Sequence, residues 1–317
     1  MDLILDLADT YVFDTAYQKL IPLASLPFEG AGFNVTTTAV EKTLSAWPRS
    51  YMPRQILSLC ILTLIGIHVL YFLFASLSYY LIFNHEMMFH PRFLPNQVKL
   101  EIQTSLKAFP VMTLLTVPWF LGEVRGWSQL YTNVDDMHIG LLGNLGGWGS
   151  WVYMVFSAVW FLVFTDYCIY WVHRLLHHPL LYKPLHKPHH KWIIPTPFAS
   201  HAFHPVDGYL QSVPYHLFVV LFPMHRLLFL GLFVAVNFWA IFIHDSDMIT
   251  GHPLEKIING PAHHTLHHIY YTVNYGQYFT WADRASNSYR HPDASLDPLL
   301  EVKMHERAVK EGKTKSD

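Results

Sequence analysis

The chain has 317 residues, 52% of them hydrophobic and only 14% charged, and its formal net charge is −2. Soluble domains carry about 25% charged residues, so this composition excludes an ordinary soluble domain and gives no general attraction to nucleic acid. Its two cysteines, Cys60 and Cys168, both lie in apolar runs and exclude a disulfide framework or a thiolate zinc site.

Residues 1–25 carry Asp2, Asp6, Asp9 and Asp14 rather than a basic start and an apolar centre, so no cleavable signal peptide is expected. Residues 1–55 read as an N-terminal segment with short helical pieces, and 56–317 as one membrane-embedded domain. From Ile56 to Phe83 no residue is charged, which is long enough to cross a bilayer that needs about 20 residues. A polar stretch over 84–107 follows, with Arg92, Lys99 and Lys107. Ala108 to Leu121 is a second, shorter apolar run, which Pro110 and Pro118 are expected to interrupt. After an acidic stretch over 122–146, Trp148 to Phe164 is a third run, prolonged as Tyr167 to Val172. Tyr209 to Phe222 and Leu227 to Ile243 pair around Pro223-Met224-His225-Arg226, as two half-spans or one re-entrant unit.

The fold class expected is all-α, a polytopic membrane protein of about four transmembrane helices. Basic residues mark cytosolic loops. The 84–107 stretch has three, and the 122–146 stretch has Arg125 against Glu123, Asp135 and Asp136. The first is therefore placed in the cytosol, and the second in the lumen with residues 1–55. Asn34-Val35-Thr36 is a glycosylation sequon on the lumenal side. Lys313 and Lys315 near the end resemble a dilysine retrieval signal of the endoplasmic reticulum.

Of the 22 histidines, 16 fall between His173 and His268. They include His173 and His177, then His186, His189 and His190, then His264, His267 and His268. Residues three or four apart share a helical face, so each cluster aims imidazoles toward one point, with Pro184 and Pro188 able to break the second helix into a turn that feeds a helix. Eight such nitrogens exceed what one ion accepts, so two metal ions are implied. His244 is a ninth candidate, and His201, His204 and His263 are further ones. Asp166, Asp207, Asp245 and Asp247 are candidates to orient the rings. Imidazole suits zinc, iron, copper and nickel alike. The His-Glu-x-x-His of many hydrolytic zinc sites is absent, and a nitrogen-rich pair of ions beside lipid-facing helices suits oxygen activation on a hydrophobic C–H bond.

The spacing His-x3-His, His-x2-His-His and again His-x2-His-His resembles the histidine boxes of the fatty acid hydroxylase/sterol desaturase superfamily of membrane di-iron oxidases. Within it the chain is similar to the sterol C5-desaturases over nearly its whole length. The likeness is most specific at His186-Lys-Pro-His-His190, Trp192 to Ser212, Ile243-His-Asp245 and Asn274-Tyr-Gly-Gln-Tyr-Phe-Thr280, and the stretch around Phe28–Ala46 looks fungal. The resemblance implies two iron ions, molecular oxygen, and removal of hydrogens from C5 and C6 of a Δ7-sterol. It also implies electrons from cytochrome b5 and its NAD(P)H reductase, since no flavin, nicotinamide or haem motif is present. Lys183, Lys187 and Lys191, four apart, are expected to line one helical face for cytochrome b5, with Arg174 near. Thr196, Phe198, Tyr270 and Tyr271 are candidates to touch the sterol. The competing readings are a hydroxylase acting on a sterol C4-methyl or an acyl chain, and a zinc-binding membrane protein or transporter.

Overall fold

A computed structural model describes residues 1–23, 45–136, 138–139, 143–144 and 146–311. The sequon at Asn34, most of the stretch around Phe28–Ala46, and Lys313 and Lys315 lie outside these residues. Among the described residues the regular structure is helical apart from two short ladders. Its helices are α1 (Asp2–Ala8), α2 (Asp14–Leu20), α3 (Met52–Leu81), α4 (Gln97–Val124), α5 (Gly147–Leu176), α6 (Pro179–Leu181), α7 (Pro205–Leu221), α8 (Arg226–Phe242), α9 (Pro261–Tyr270), α10 (Trp281–Ala285) and α11 (Pro298–Lys310). The ladders are β1 (Leu130–Tyr131) with β4 (Met224–His225), parallel, and β2 (His138–Ile139) with β3 (Gly143–Asn144), antiparallel.

Among the described residues three helices, α3, α4 and α5, are long and apolar enough to cross a membrane, and the protein is a membrane protein of the all-α class. Many of their large side chains point outward, among them Ile65, Val69 and Leu73 on α3 and Val152, Val155 and Val159 on α5. In water such faces would be costly; in lipid they are the solvated surface. The paired runs at 209–243 form α7 and α8, 17 residues each. At 1.5 Å per residue each spans roughly 25 Å, short of a ~30 Å hydrocarbon core.

One expectation fails at α4. Pro110 and Pro118 do not interrupt it, and the helix already begins at Gln97, inside the polar 84–107 stretch. A proline inside a membrane helix removes one donor, but lipid offers the freed backbone nothing better than staying helical.

The residues group into two compact units, Met1–Gly66 with Thr113–Trp127, and Ile67–Met112 with Ser128–Asp317. In the first, the buried guanidinium of Arg54 donates to Asp9 at 2.7 Å and to Asp14 at 2.5 Å and lies over the Tyr17 ring. The Met1 amino group meets the buried Glu123 at 2.7 Å.

The second unit is built on α5. Phe161 and Ile169 of α5 pack with Tyr215, Phe218 and Val219 of α7, and with Phe229 and Val236 of α8. Carboxylates then fasten the 275–279 segment to this core. The buried Asp166 Oδ1 accepts from the backbone N–H groups of Gln277, Tyr278 and Phe279 at 3.1, 2.7 and 3.2 Å. Asp283 accepts from Tyr275 and Gly276 at 2.9 and 2.8 Å. These bonds replace the partners that an irregular buried segment lacks.

The fit is tight at Gly276, where an added Cβ would lie 2.5 Å from the Phe279 carbonyl oxygen, an atom the Asp166 clasp holds in place. Gly276→Ala should therefore destabilise the protein by about 1–3 kcal/mol. Thermal unfolding of the purified protein in detergent should show this as a lowered midpoint; an unchanged midpoint would show that the segment yields.

Candidate metal centre

The histidine clusters are placed by three different local structures. His173 sits in the last turn of α5, and His177 follows as its C-terminal cap. The second cluster is not on an α-helix. Tyr182–His186 is a π-helical turn in which the Lys187 N–H donates to the Tyr182 carbonyl at 2.7 Å, and ordinary turns follow to Lys191. Pro184 and Pro188 have no N–H to give a regular α-helix, which explains the departure. The third cluster lies on α9, where His264, His267 and His268 share a face.

Nine imidazoles from these elements and from His244, just past α8, gather into two groups. One contains His173, His177, His186, His190 and His267; the other contains His189, His244, His264 and His268. All but the half-buried His177 are buried. In the first group, Nε2 of His190 is 3.1 Å from that of His177, of His186 and of His267, and His173 to His186 is 3.2 Å. In the second, His264 lies 3.0 Å from His244 and 3.1 Å from His268, and His244 lies 3.3 Å from His189.

The outer nitrogens decide what these short distances mean. Nδ1 of His173, His244, His267 and His268 lies 3.0, 2.6, 2.7 and 2.9 Å from the carbonyl oxygens of Tyr275, Ala240, Val273 and Trp192. Nδ1 of His186 lies 2.8 Å from Asp207 Oδ2. Carbonyls and carboxylates only accept, so each of these Nδ1 atoms carries the proton, and in the neutral ring each Nε2 presents a lone pair. As neutral rings, His173 and His186 face each other lone pair to lone pair at 3.2 Å. In that state no hydrogen bond joins them. A cation can: a metal ion ~2.1 Å from each nitrogen sets neighbouring ligands ~3.0–3.4 Å apart in octahedral or tetrahedral packing. The donor set fits such an ion at each group.

Burial favours the same state. Desolvation first, and neighbouring imidazoles second, hold His189, His190, His264 and His267 well below the ordinary imidazole range; desolvation and nearby rings do the same for His268 and lower His177. His244 is pushed down to about 4 by burial. These rings are neutral at pH 7, with lone pairs free for a metal. Nδ1 of His189 and of His190 is buried without a partner among the described residues, which leave these two tautomers unfixed.

Several sequence expectations fall elsewhere. His263 is in neither group; its ring lies near the Tyr289 hydroxyl at 3.5 Å. His204 caps α7 by accepting from the Val206 N–H. His201 pairs with Ser200 at 3.0 Å. Of the four aspartates, Asp207 alone meets an imidazole. Asp166 clasps the 277–279 backbone, Asp245 accepts from the Asp247 N–H, and Asp247 from Met248.

Lys183, Lys187 and Lys191 are exposed but do not share a helical face, because the π-helical turn and the turns after it break the period. Arg174 donates to the Tyr170 hydroxyl at 2.6 Å. Thr196 is buried and bonds the Glu101 carboxylate through both its hydroxyl and its N–H. Phe198 packs by Tyr71 and Tyr79. Tyr270 lies under Arg290, and Tyr271 caps α9 with its ring 4.9 Å from His190. None of these four lines the cavity beside the histidines.

That cavity, of about 110 Å³, is walled by His173, His189, His244 and His264 together with apolar Ile169 and Val236. Its polar wall, including Gln277, Asn237 and Gln211, was missed from sequence. The Trp192–Ser212 and Asn274–Thr280 stretches held the available signals, since they contain Gln211 and Gln277.

Fold and site define a polytopic helical membrane protein with a buried, nitrogen-rich centre suited to a metal-dependent oxidase. The fatty acid hydroxylase family model matches residues 158–288, which contain every one of the nine gathered histidines. Curated relatives cover far more. A Delta(7)-sterol 5(6)-desaturase of Gibberella zeae is 50% identical over 95% of this chain and 93% of its own length. One of Aspergillus fumigatus is 46% identical over 94% and 92%, and the lathosterol oxidase of Homo sapiens 48% over 82% and 84%. The chain belongs to this family of Delta(7)-sterol 5(6)-desaturases and lathosterol oxidases. No solved structure matches it significantly.

The Asp207 contact yields a test. Asp207→Asn weakens the acceptor that fixes His186, and outer partners of this kind typically hold 10–100-fold of metal affinity. Competition with a chelator should show a loss of that size; an unchanged affinity would mean that His186 is oriented by packing alone.

Proposed function

We propose that this protein is a sterol C5-desaturase that introduces the C5=C6 double bond into a Δ7-sterol, in sterol biosynthesis of the ergosterol type. The observation that carries the reading is the facing pair of lone pairs at His173 and His186, in a chain about half identical to desaturases of that name over nearly its full length. The overall change is a C5–C6 single bond becoming a double bond while dioxygen, two electrons and two protons become water together with the two hydrogens removed.

Each group of imidazoles holds one iron ion, the first through His173, His177, His186, His190 and His267, the second through His189, His244, His264 and His268. Bound iron supplies oxygen activation and one-electron redox chemistry that no side chain of this chain has. The protein's own part is positional. Neutral rings present lone pairs without adding charge. The carbonyls of Tyr275, Ala240, Val273 and Trp192, and the Asp207 carboxylate, keep five of them aimed. Ile169 and Val236 line the reaction space with hydrocarbon, so a sterol displaces water there instead of competing with it.

The enzyme sits in the endoplasmic reticulum membrane with residues 1–55 lumenal, residues 56–317 as the membrane-embedded domain and the histidines on the cytosolic side. Basic residues at 84–107 and the acidic 122–146 stretch support that orientation. Electrons come from cytochrome b5 and its reductase. Lys183, Lys187 and Lys191, exposed around the second histidine cluster, form a positive patch for an acidic donor without needing a common helical face.

His189→Ala is expected to abolish formation of the 5,7-diene with the protein still present in membranes, whereas His263→Gln keeps its iron and its activity. Product mass after incubation with a Δ7-sterol, oxygen and a reducing system distinguishes a diene from a hydroxylated sterol. Retained turnover in His189→Ala, or a hydroxylated product from the unaltered enzyme, would refute the assignment.

Charge reversal at all three lysines should slow reduction by cytochrome b5 and flatten its salt dependence. Stopped-flow reduction at two ionic strengths measures both, and unchanged kinetics would remove the patch from the reading.

A further inference from the structure

We infer that the side-chain amide of Gln277 holds the 3β-hydroxyl of the sterol and thereby selects free sterols for oxidation. The inference rests on the desaturase reading above and adds the residue that recognises the substrate's polar end.

The substrate's own geometry sets the search. A sterol has one polar group, and its oxygen is only three bonds from C5 and four from C6. A group that binds the hydroxyl while those carbons are oxidised must line the same small space as the inward nitrogens. The cavity walled by His173, His189, His244 and His264 is that space. At about 110 Å³ it is somewhat smaller than the ~150 Å³ cavity that admits one benzene ring. One edge of a steroid nucleus enters. Gln211 and Ser212 on α7 and Asn237 and Ala240 on α8 line it while half-buried, which marks the side where it opens. Further along the same two helices, Tyr215 meets Phe233 with ring centroids 6.2 Å apart and shuts the gap. The outward side chains of α8, Leu227 and Phe238 among them, are apolar, so the opening faces a surface that a sterol can leave lipid to enter.

The polar side chains on the wall differ in what they have left to offer. Ser200 and Ser212 donate to the carbonyls of Pro197 and Tyr209. Gln211 donates to Asp207 at 2.8 Å, and Asn237 to the Phe233 carbonyl at 2.7 Å. Gln277 is anchored only through its backbone. Its N–H donates to Asp166 at 3.1 Å, and its carbonyl accepts from the Trp239 indole at 2.8 Å. Its side-chain amide makes no hydrogen bond to the described residues. A fixed backbone thus carries an uncommitted amide at the wall that His173 also forms. An amide offers a donor and an acceptor at once, which is what a hydroxyl requires. A site built to hydrogen-bond a substrate hydroxyl discriminates strongly against the analogue that cannot reciprocate.

The test pairs a change in the protein with a change in the ligand. Unaltered enzyme and Gln277→Leu are each given a Δ7-sterol and its 3β-methyl ether, which keeps the rings and loses the donor. The expected result is that Gln277→Leu loses about tenfold or more in kcat/KM for the free sterol and little for the ether, so that the preference collapses. A merely structural role would lower both alike, and an undiminished preference in Gln277→Leu would overturn the inference. Should Gln277→Leu fail to accumulate, Gln277→Met, unbranched and close in volume, carries the same comparison. Equilibrium binding of the two sterols to metal-free protein, followed by tryptophan fluorescence, should show the same collapse. This second measurement separates the two claims. Enzyme that binds the sterol but forms no diene would refute the desaturase reading, while the binding preference would still decide the role of Gln277.

Discussion

Lone pairs that face one another inside a protein are an arrangement that folding alone does not favour. Five of the gathered imidazoles have their outer nitrogen committed to an acceptor, so in the neutral ring the inner nitrogen has no proton to share. Each such nitrogen is buried, and an unmatched buried polar atom costs about 1–3 kcal/mol. A bound cation turns that cost into coordination energy. The rest of the second unit is arranged around this requirement, since a ring that turned away would cost the ion a ligand.

Ala240 and Asp207 aim their rings from α8 and α7, but the other three acceptors come from segments with little regular structure. Tyr275 and Val273 lie between α9 and α10, and Trp192 lies between the second histidine cluster and α7. Such segments hold a carbonyl in place only if their own backbone is anchored. Asp166 and Asp283 do this for 275–279, and Glu101 does it for Thr196. Buried carboxylates far from any imaginable chemistry therefore act on the centre indirectly, through backbone geometry.

The membrane explains why the polar and apolar parts meet where they do. α3, α4 and α5 show lipid an apolar surface, and α5 delivers His173 only at its final turn. α7 and α8, too short to cross, bring a half-open cavity up to the histidines. A substrate as insoluble as a sterol can reach the centre along hydrocarbon.

How much of this is legible in the chain depends on range. Composition and apolar run length determine the helical membrane class, because a bilayer demands long uncharged helices. Three-four spacing determines that His173/His177 and His264/His267/His268 act together, because one helical turn suffices to align them. The second cluster converges despite losing that helix, since Pro184 and Pro188 force a turn whose outcome local spacing does not foretell. Only the tertiary structure decides which ring joins which group, that His244 belongs and His263 does not, and that Asp207 among four aspartates meets an imidazole. Those choices depend on packing between segments as much as 102 residues apart, as at His173 and Tyr275. The carbonyl acceptors leave no trace in sequence at all, because every residue carries one and only the fold selects which of them faces a histidine.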